Sequence, residues 1–395
     1  MFHPVLRHAA AAALATLLLA ACGSGATPSE LPVLPPVSTS PAGMTQADNA
    51  ALDAYVQAKM VEGNIPGVSL AVMDNGRLLY AKAYGYADLA GRAPARPEHR
   101  FEIGSISKTF VTMATMLLVE EGKIKLDEKI STYIGPVLPS WEAITIRHLL
   151  NHSSGLPEYP TDAARAIVEG ARIVPEAEIL TLYKTFPAER APGVSWSYSN
   201  VGFDVLGIIV SRVSGKYYGD FLQERVFGPL GMHDTRIMTP VVNVPGKATG
   251  YLLNDRKRLE ADVPSASLRN YLSLGASGVE SSALDMAKFD AALRANTVLT
   301  AASRDAMWTA SVQVRPQTAT ASEINMGLGW FMSMESGHRR IGHSGGMPGY
   351  ISDIVLYPDE GISVVVLTNQ GFGEGAIPSA MSRHIAKMFR PELPE

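Results

Sequence analysis

The sequence predicts an α+β fold: one antiparallel sheet assembled from the two ends of the chain, flanked by helices, with a helical subdomain inserted between them. Three observations carry this. Two β-prone runs flank Asp74-Asn75-Gly76 in VSLAVMDNGRLLYAKAYGYAD (68–88), a strong hairpin signal. A second pair of runs surrounds Pro358-Asp359-Glu360-Gly361 in YISDIVLYPDEGISVVVLTN (350–369). Between the two pairs lies a long middle rich in helical patterns and loops.

Taken in order, the chain opens with Arg7 between His3 and His8, followed by the uncharged run AAAAALATLLLAA (9–21), too short to span a bilayer as a mature helix. A basic start, a short apolar stretch and small residues at its end describe a secretory signal. It stops at Cys22, the only cysteine in the chain. Leu19-Ala20-Ala21-Cys22 resembles a bacterial lipobox, so residues 1–21 are expected to be a lipoprotein signal peptide. The protein is then expected to be exported to the bacterial cell envelope and lipid-anchored at Cys22 on the periplasmic side of the membrane. Residues 22–45 hold five prolines among Gly, Ser and Thr, without an aromatic residue, and are expected to be a semi-extended tether.

The folded body, 46–395, is expected to form one domain with two lobes and no internal repeat. Helical spacing through Leu52, Tyr55, Val56 and Met60 predicts a helix over 47–62, stopped by Gly63. From Thr109 to Val119 no residue is charged and apolar side chains occupy all sides of the wheel, which predicts a helix buried all round. A final amphipathic stretch covers 377–389. Composition is that of a globular enzyme, with 46% hydrophobic and 18% charged residues and a net charge of −4. No basic stripe is present, which excludes nucleic acid as a partner. His148 and His152 stand four apart, but the glutamate of a zinc-protease motif is missing and Asn151–Gly155 reads as loop, so neither a metal nor a cofactor is expected.

Two stretches offer a nucleophile. IGHSGGMPGY (341–350) contains Gly342-His343-Ser344-Gly345-Gly346, a literal G-x-S-x-G match. A nucleophile elbow needs a helix directly after its serine, and here Met347-Pro348-Gly349 leads into a strand pair. The only later histidine is His384. The second stretch, FEIGSISKTFVTMATMLLVEEGK (101–123), holds the only serine placed three residues before a lysine. At helical spacing Ser105 and Lys108 face the same way, whereas Ser107 does not. A capping serine beside a snorkelling lysine is the ordinary reading of such a pair. A lysine opening a buried helix must be desolvated, however, which lowers its pKa and yields a neutral base beside a hydroxyl. Those are the parts acyl transfer requires.

With Ser105-x-x-Lys108 in place, the sequence resembles the serine β-lactamase-related family, which includes class C β-lactamases, D-alanyl-D-alanine carboxypeptidases and the esterases that share their fold. Tyr198-Ser199-Asn200 is the only Tyr-x-Asn in the chain, and His343-Ser344-Gly345 stands where many members have Lys-Thr-Gly. LLNHSSGLP (149–157), VFGPLGMHDT (226–235) and MGLGW (326–330) add to the likeness, which covers about 60–395. The resemblance implies the β-lactamase/penicillin-binding-protein-like fold and a serine hydrolase that works through a covalent acyl-enzyme on an ester or amide. The substrate is expected to be a small molecule or short peptide: a D-Ala-D-Ala-type peptide, a β-lactam or a small ester. By the same resemblance Ser105 is the nucleophile, Lys108 its base, and Tyr198 a phenolate or proton shuttle whose pKa must fall below its usual value near 10. Asn200, His343, Ser344 and Gly345 contact the substrate, and the backbone N–H groups of Ser105 and Gly346 form the oxyanion hole. His343 is read as a titrating contact for a substrate carboxylate. A monomer is expected. Two other readings stand beside this one: a penicillin-binding sensor or binding module with slow or no turnover, and an α/β-hydrolase esterase with Ser344 as nucleophile.

Overall fold

The computed structural model describes residues 37–39, 46–159, 174–239, 244–255, 257–263, 268, 273–318, 321–371 and 377–394. The signal segment 1–21 and Cys22 lie outside the described residues.

One antiparallel sheet organises the molecule. Apart from the short strand Ala93–Pro94, which pairs beside Arg77–Asp88, its strands are Val37–Thr39 (β1), Gly67–Asp74 (β2), Arg77–Asp88 (β3), Val312–Arg315 (β4), Ile324–Met326 (β5), Phe331–Glu335 (β6), His338–Met347 (β7), Tyr350–Tyr357 (β8) and Ile362–Thr368 (β9). They lie in the order β1-β3-β2-β9-β8-β7-β6-β5-β4. Both predicted hairpins form, and the chain ends meet where Asp74 of β2 stands opposite Ile362 of β9. The first turn works because Asn75 (φ 50°) and Gly76 (φ 77°) both tolerate the left-handed region that a two-residue hairpin needs. Two expectations need correction. Within the expected tether, Val37–Thr39 pair with Ala81–Ala83 as an edge strand, since ladder bonds use backbone groups that a polar composition leaves available. The middle of the chain, expected as helix and loop, also supplies β4, β5 and β6.

Five helices matter for the site: Gln46–Gly63 (α1), Ser107–Glu120 (α2), Asn200–Ser214 (α3), Ala283–Ala295 (α4) and Ile377–Phe389 (α5). Strand alternation gives the sheet two apolar faces. On one, Leu70, Val72 and Val364 pack under Leu52 and Val56 of α1 and Met381 and Ile385 of α5. On the other, Ala71, Met73, Ile354 and Val365 join the larger core that contains α2 and α3. Residues 107–118 of α2 are all buried, as the charge-free run predicted. Each such aliphatic side chain contributes about 1.5–3 kcal/mol on burial, so α2 is fixed by packing on every side. Among the described residues no helix is long and apolar enough to cross a membrane, and no group of three or more His, Cys, Asp or Glu is placed to hold a metal.

Candidate active site

Ser105 lies partly exposed in a single 3-10 turn, Gly104–Ile106, that leads into α2. The turn rests on β7. A Cβ on Gly345 would stand 1.9 Å from the Ile103 carbonyl oxygen, and one on Gly104 (φ 52°) 2.7 Å from the Gly346 nitrogen. Two missing side chains therefore let the turn and the strand touch, which brings the backbones at Ser105 and Gly346 together. On the β6 side the pairing of β7 ends at Phe331↔Gly342. Residues 343–347 thus form a free strand edge beside the serine.

Helical spacing does the rest. Lys108, fully buried one turn along, points its Nζ back at Ser105 Oγ (3.1 Å), Asn200 Oδ1 (2.8 Å) and the Ala276 carbonyl (2.8 Å). Tyr198 OH reaches Ser105 Oγ from the other side at 2.8 Å. Desolvation brings the Lys108 amine down to about 7, although Asp204 and Glu158 favour its charged form. A neutral amine has two hydrogens and one lone pair. Two of its three partners are carbonyl oxygens that only accept, so the lone pair faces the remaining one, the Ser105 hydroxyl.

Tyr198 corrects the sequence expectation. Its hydroxyl is pushed up, not down, because burial outweighs the hydrogen bond to Ser105 and the Glu158 carboxylate acts in the same direction as burial. Tyr198 is a phenol that donates to Ser105. Its loop is held by His152, a buried residue in the left-handed backbone region (φ 58°). The His152 carbonyl accepts Ser197 N–H and its Nδ1 accepts Ser199 N–H at 3.1 Å. The imidazole also packs on the Tyr198 ring, with centroids 4.4 Å apart. Ser199 then caps α3 by accepting Gly202 N–H at 3.0 Å, which sets Asn200 as the first helical residue.

His343 needs correction too. It is only 3% exposed, its Nδ1 lies 2.6 Å from the Ser344 carbonyl, and its Nε2 is buried without a partner. Burial takes its pKa down to about 3, with the Lys108 charge acting in the same direction. It is a neutral imidazole at working pH and cannot titrate against a substrate carboxylate there. Ser344 projects from the opposite face of β7 and is exposed. It borders a cavity of about 260 Å³ that Ser333, Arg340, Asp353 and Ser379 also line. The strand runs on through Ser344 to Met347 and turns into β8, so the helix an elbow requires is absent. Gly345 faces inward and Gly346 outward beside the turn.

The structure thus gathers Ser105, Lys108, Tyr198, Asn200 and the 343–346 strand edge in one place. It adds groups the sequence reading did not single out. Glu158, exposed at the mouth, accepts Asn200 Nδ2–H at 3.0 Å. Ala276 acts through its backbone and leaves no side-chain signal. Asp204 has one: it is the single charge inside the otherwise apolar VGFDVLGIIV.

Comparison with known proteins now adds to this geometry. The family model described as Beta-lactamase matches residues 52–384. Penicillin-binding protein 4* of Bacillus subtilis (strain 168) is 29% identical over 309 residues, covering 75% of this chain and 66% of that protein. The chain therefore spans about two thirds of that relative's length. Among solved structures, the octameric penicillin-binding protein homologue from Pyrococcus abyssi is similar, with TM-score 0.75 and 29% identity over 88% of this chain and 78% of that one. D-amino acid amidase from Ochrobactrum anthropi SV3, complexed with L-phenylalanine amide, gives TM-score 0.72 and 26% identity over 87% of this chain and 98% of its own.

Proposed function

The chain belongs to the Beta-lactamase family, and from that membership we propose that it is a serine hydrolase in which Ser105 forms a covalent acyl-enzyme with an ester or amide. The observation that carries this is the grip on Ser105 Oγ, held at once by the Lys108 amine (3.1 Å) and the Tyr198 hydroxyl (2.8 Å). Lys108 takes the Ser105 proton as Oγ bonds to the substrate carbonyl carbon. The oxyanion meets the backbone N–H groups of Ser105 and Gly346. As the carbon–leaving-group bond breaks, the leaving group takes the Tyr198 proton, which the Lys108 ammonium replaces. Water then attacks the acyl carbon, gives its proton to the same pair, and Ser105 leaves reprotonated.

Three substrate classes fit this chemistry: a D-Ala-D-Ala-type peptide, a β-lactam and a small ester. The charge of the site narrows them. His343 is held neutral, Lys108 works as an amine, and Arg340 is engaged by Glu335 at 2.8 Å, so none of these three is offered to a substrate carboxylate. The Glu158 carboxylate stands on Asn200 instead. These groups favour an ester or amide without a carboxylate next to the scissile bond, and the amide class has a counterpart in the amidase relative. We further propose that Cys22 carries a lipid tether, so that Cys22→Ser releases the protein from membranes into the soluble fraction. We also propose that the protein works as a monomer; light scattering on an active preparation checks it.

The decisive experiment labels the parent, Ser105→Ala and Ser344→Ala with a fluorophosphonate probe and follows a chromogenic ester. Labelling and turnover lost only in Ser105→Ala is the expected result. Loss only in Ser344→Ala overturns the assignment, and labelling without turnover favours the sensor reading. A carboxylate-bearing ester turned over as well as its neutral counterpart would overturn the narrowing.

A further inference from the structure

Behind the lysine, α3 carries an acid that the reaction just described leaves out. Asp204 is fully buried, one helical turn beyond Asn200. Its Oδ1 accepts the Ala276 N–H at 2.9 Å and its Oδ2 accepts Tyr183 OH at 2.8 Å. The carbonyl of that same residue, Ala276, accepts Lys108 Nζ at 2.8 Å. Ala276 is therefore gripped at both ends, its amide by the acid and its carbonyl by the amine. The grip depends on close approach of the 275–276 backbone to α3: a Cβ on Gly275 would stand 2.4 Å from the Phe203 carbonyl oxygen.

We propose that Asp204 is a positioning residue for acylation, which holds Lys108 against Ser105 through Ala276 and supports the ammonium that Lys108 becomes on taking the serine proton. The assignment rests on the reading of Ser105 and Lys108 given above. Its chemistry follows from what the acid does not touch. The three hydrogen bonds of Lys108 go to Ser105, Asn200 and Ala276, none to Asp204. A carboxylate bonded directly to the amine would keep it protonated and useless as a base. One residue away, in a medium of low dielectric, it leaves the ground-state amine free and still attracts the charge that develops during proton transfer.

Asp204 and Lys108 act on each other across Ala276. Burial pushes Asp204 up to about 7 and brings Lys108 down to about 7, while the charge of each opposes the other's shift. Facing Lys108 are Tyr198, His152, His343 and, across Asn200, Glu158. Facing Asp204 are Tyr183, Tyr218 and Glu176. Both histidines are held well below, and Tyr198 and Tyr218 above, the range in which the pair changes charge.

The test follows the rate of fluorophosphonate labelling of Ser105, and kcat/KM for a neutral ester, against pH in the parent, Asp204→Asn and Tyr183→Phe. Without the anion, Lys108 gives up its proton more readily and is a weaker base. Asp204→Asn is expected to label about tenfold or more slowly on the plateau, with its acid limb moved to lower pH. Tyr183→Phe strips the carboxylate of one donor and is expected to move the limb the same way, by less. An acid limb that stays in place in Asp204→Asn, with only stability reduced, overturns the proposal. Should that variant not fold, an unmoved limb in Tyr183→Phe overturns it equally. Failure of the parent to label at Ser105 is a different outcome, and it strikes the hydrolase reading itself.

Discussion

Taking Lys108 out of water changes two measurable things, the pH at which Ser105 reacts and the stability of the fold. The base must be neutral, and burial brings it down to about 7. Acylation is therefore expected to rise with pH through about 7 and then level, read as the pH profile of kcat/KM on a neutral ester. The same depression penalises folding wherever the unfolded lysine is protonated and the folded one is not, so stability rises as pH climbs from about 7 toward 10. Lys108→Met is expected to abolish labelling and to raise Tm at pH 7, with an advantage that shrinks toward pH 10. Each unit of depression is about 1.4 kcal/mol, set against the loss of three hydrogen bonds, and thermal melts of the variant at the two pH values decide it. The Ser105 and Lys108 pairing was legible because a helix puts i and i+3 on one face. The protonation of Tyr198 and His343 was not, since it depends on burial by segments far away in sequence, α3 and β6 among them.

The contact between the 104–106 turn and β7 is where element-scale geometry meets chemistry. Gly345→Ala would drive a methyl into the Ile103 carbonyl 1.9 Å away. The turn must lift, and Ser105 with it. A loss of labelling by at least about a hundredfold is expected from a displacement near 1 Å, in a protein whose circular dichroism is that of the parent. On α2, Phe110 is fully buried between Phe289 and Phe227, with centroids 4.2 and 5.4 Å away. Phe110→Ala should cost about 3–5 kcal/mol in a denaturant titration. Both end hairpins, α1 and α5 were legible from period and turn residues, because each repeats its pattern over several turns or strand pairs. The strands at 312–335 were not, since they are short and held by backbone ladders, and β1 was hidden by the proline-rich composition around it.

Across the whole molecule the sheet is completed by β9, whose seven residues pair with β2 on one side and β8 on the other. Asp74 and Ile362 stand opposite one another although 288 residues (362 − 74) separate them. That join has a consequence in time. A ribosome adding about 5–20 residues per second releases the partner of β2 roughly 15–60 s after β2 itself has emerged. Until then the apolar edge of the first hairpin has no neighbour, and the lysine that makes Ser105 reactive has no closed interior to be buried in. The growing polypeptide is thus obliged to stay open, and chemically inert, until the strand that joins the two halves of this sheet has been made.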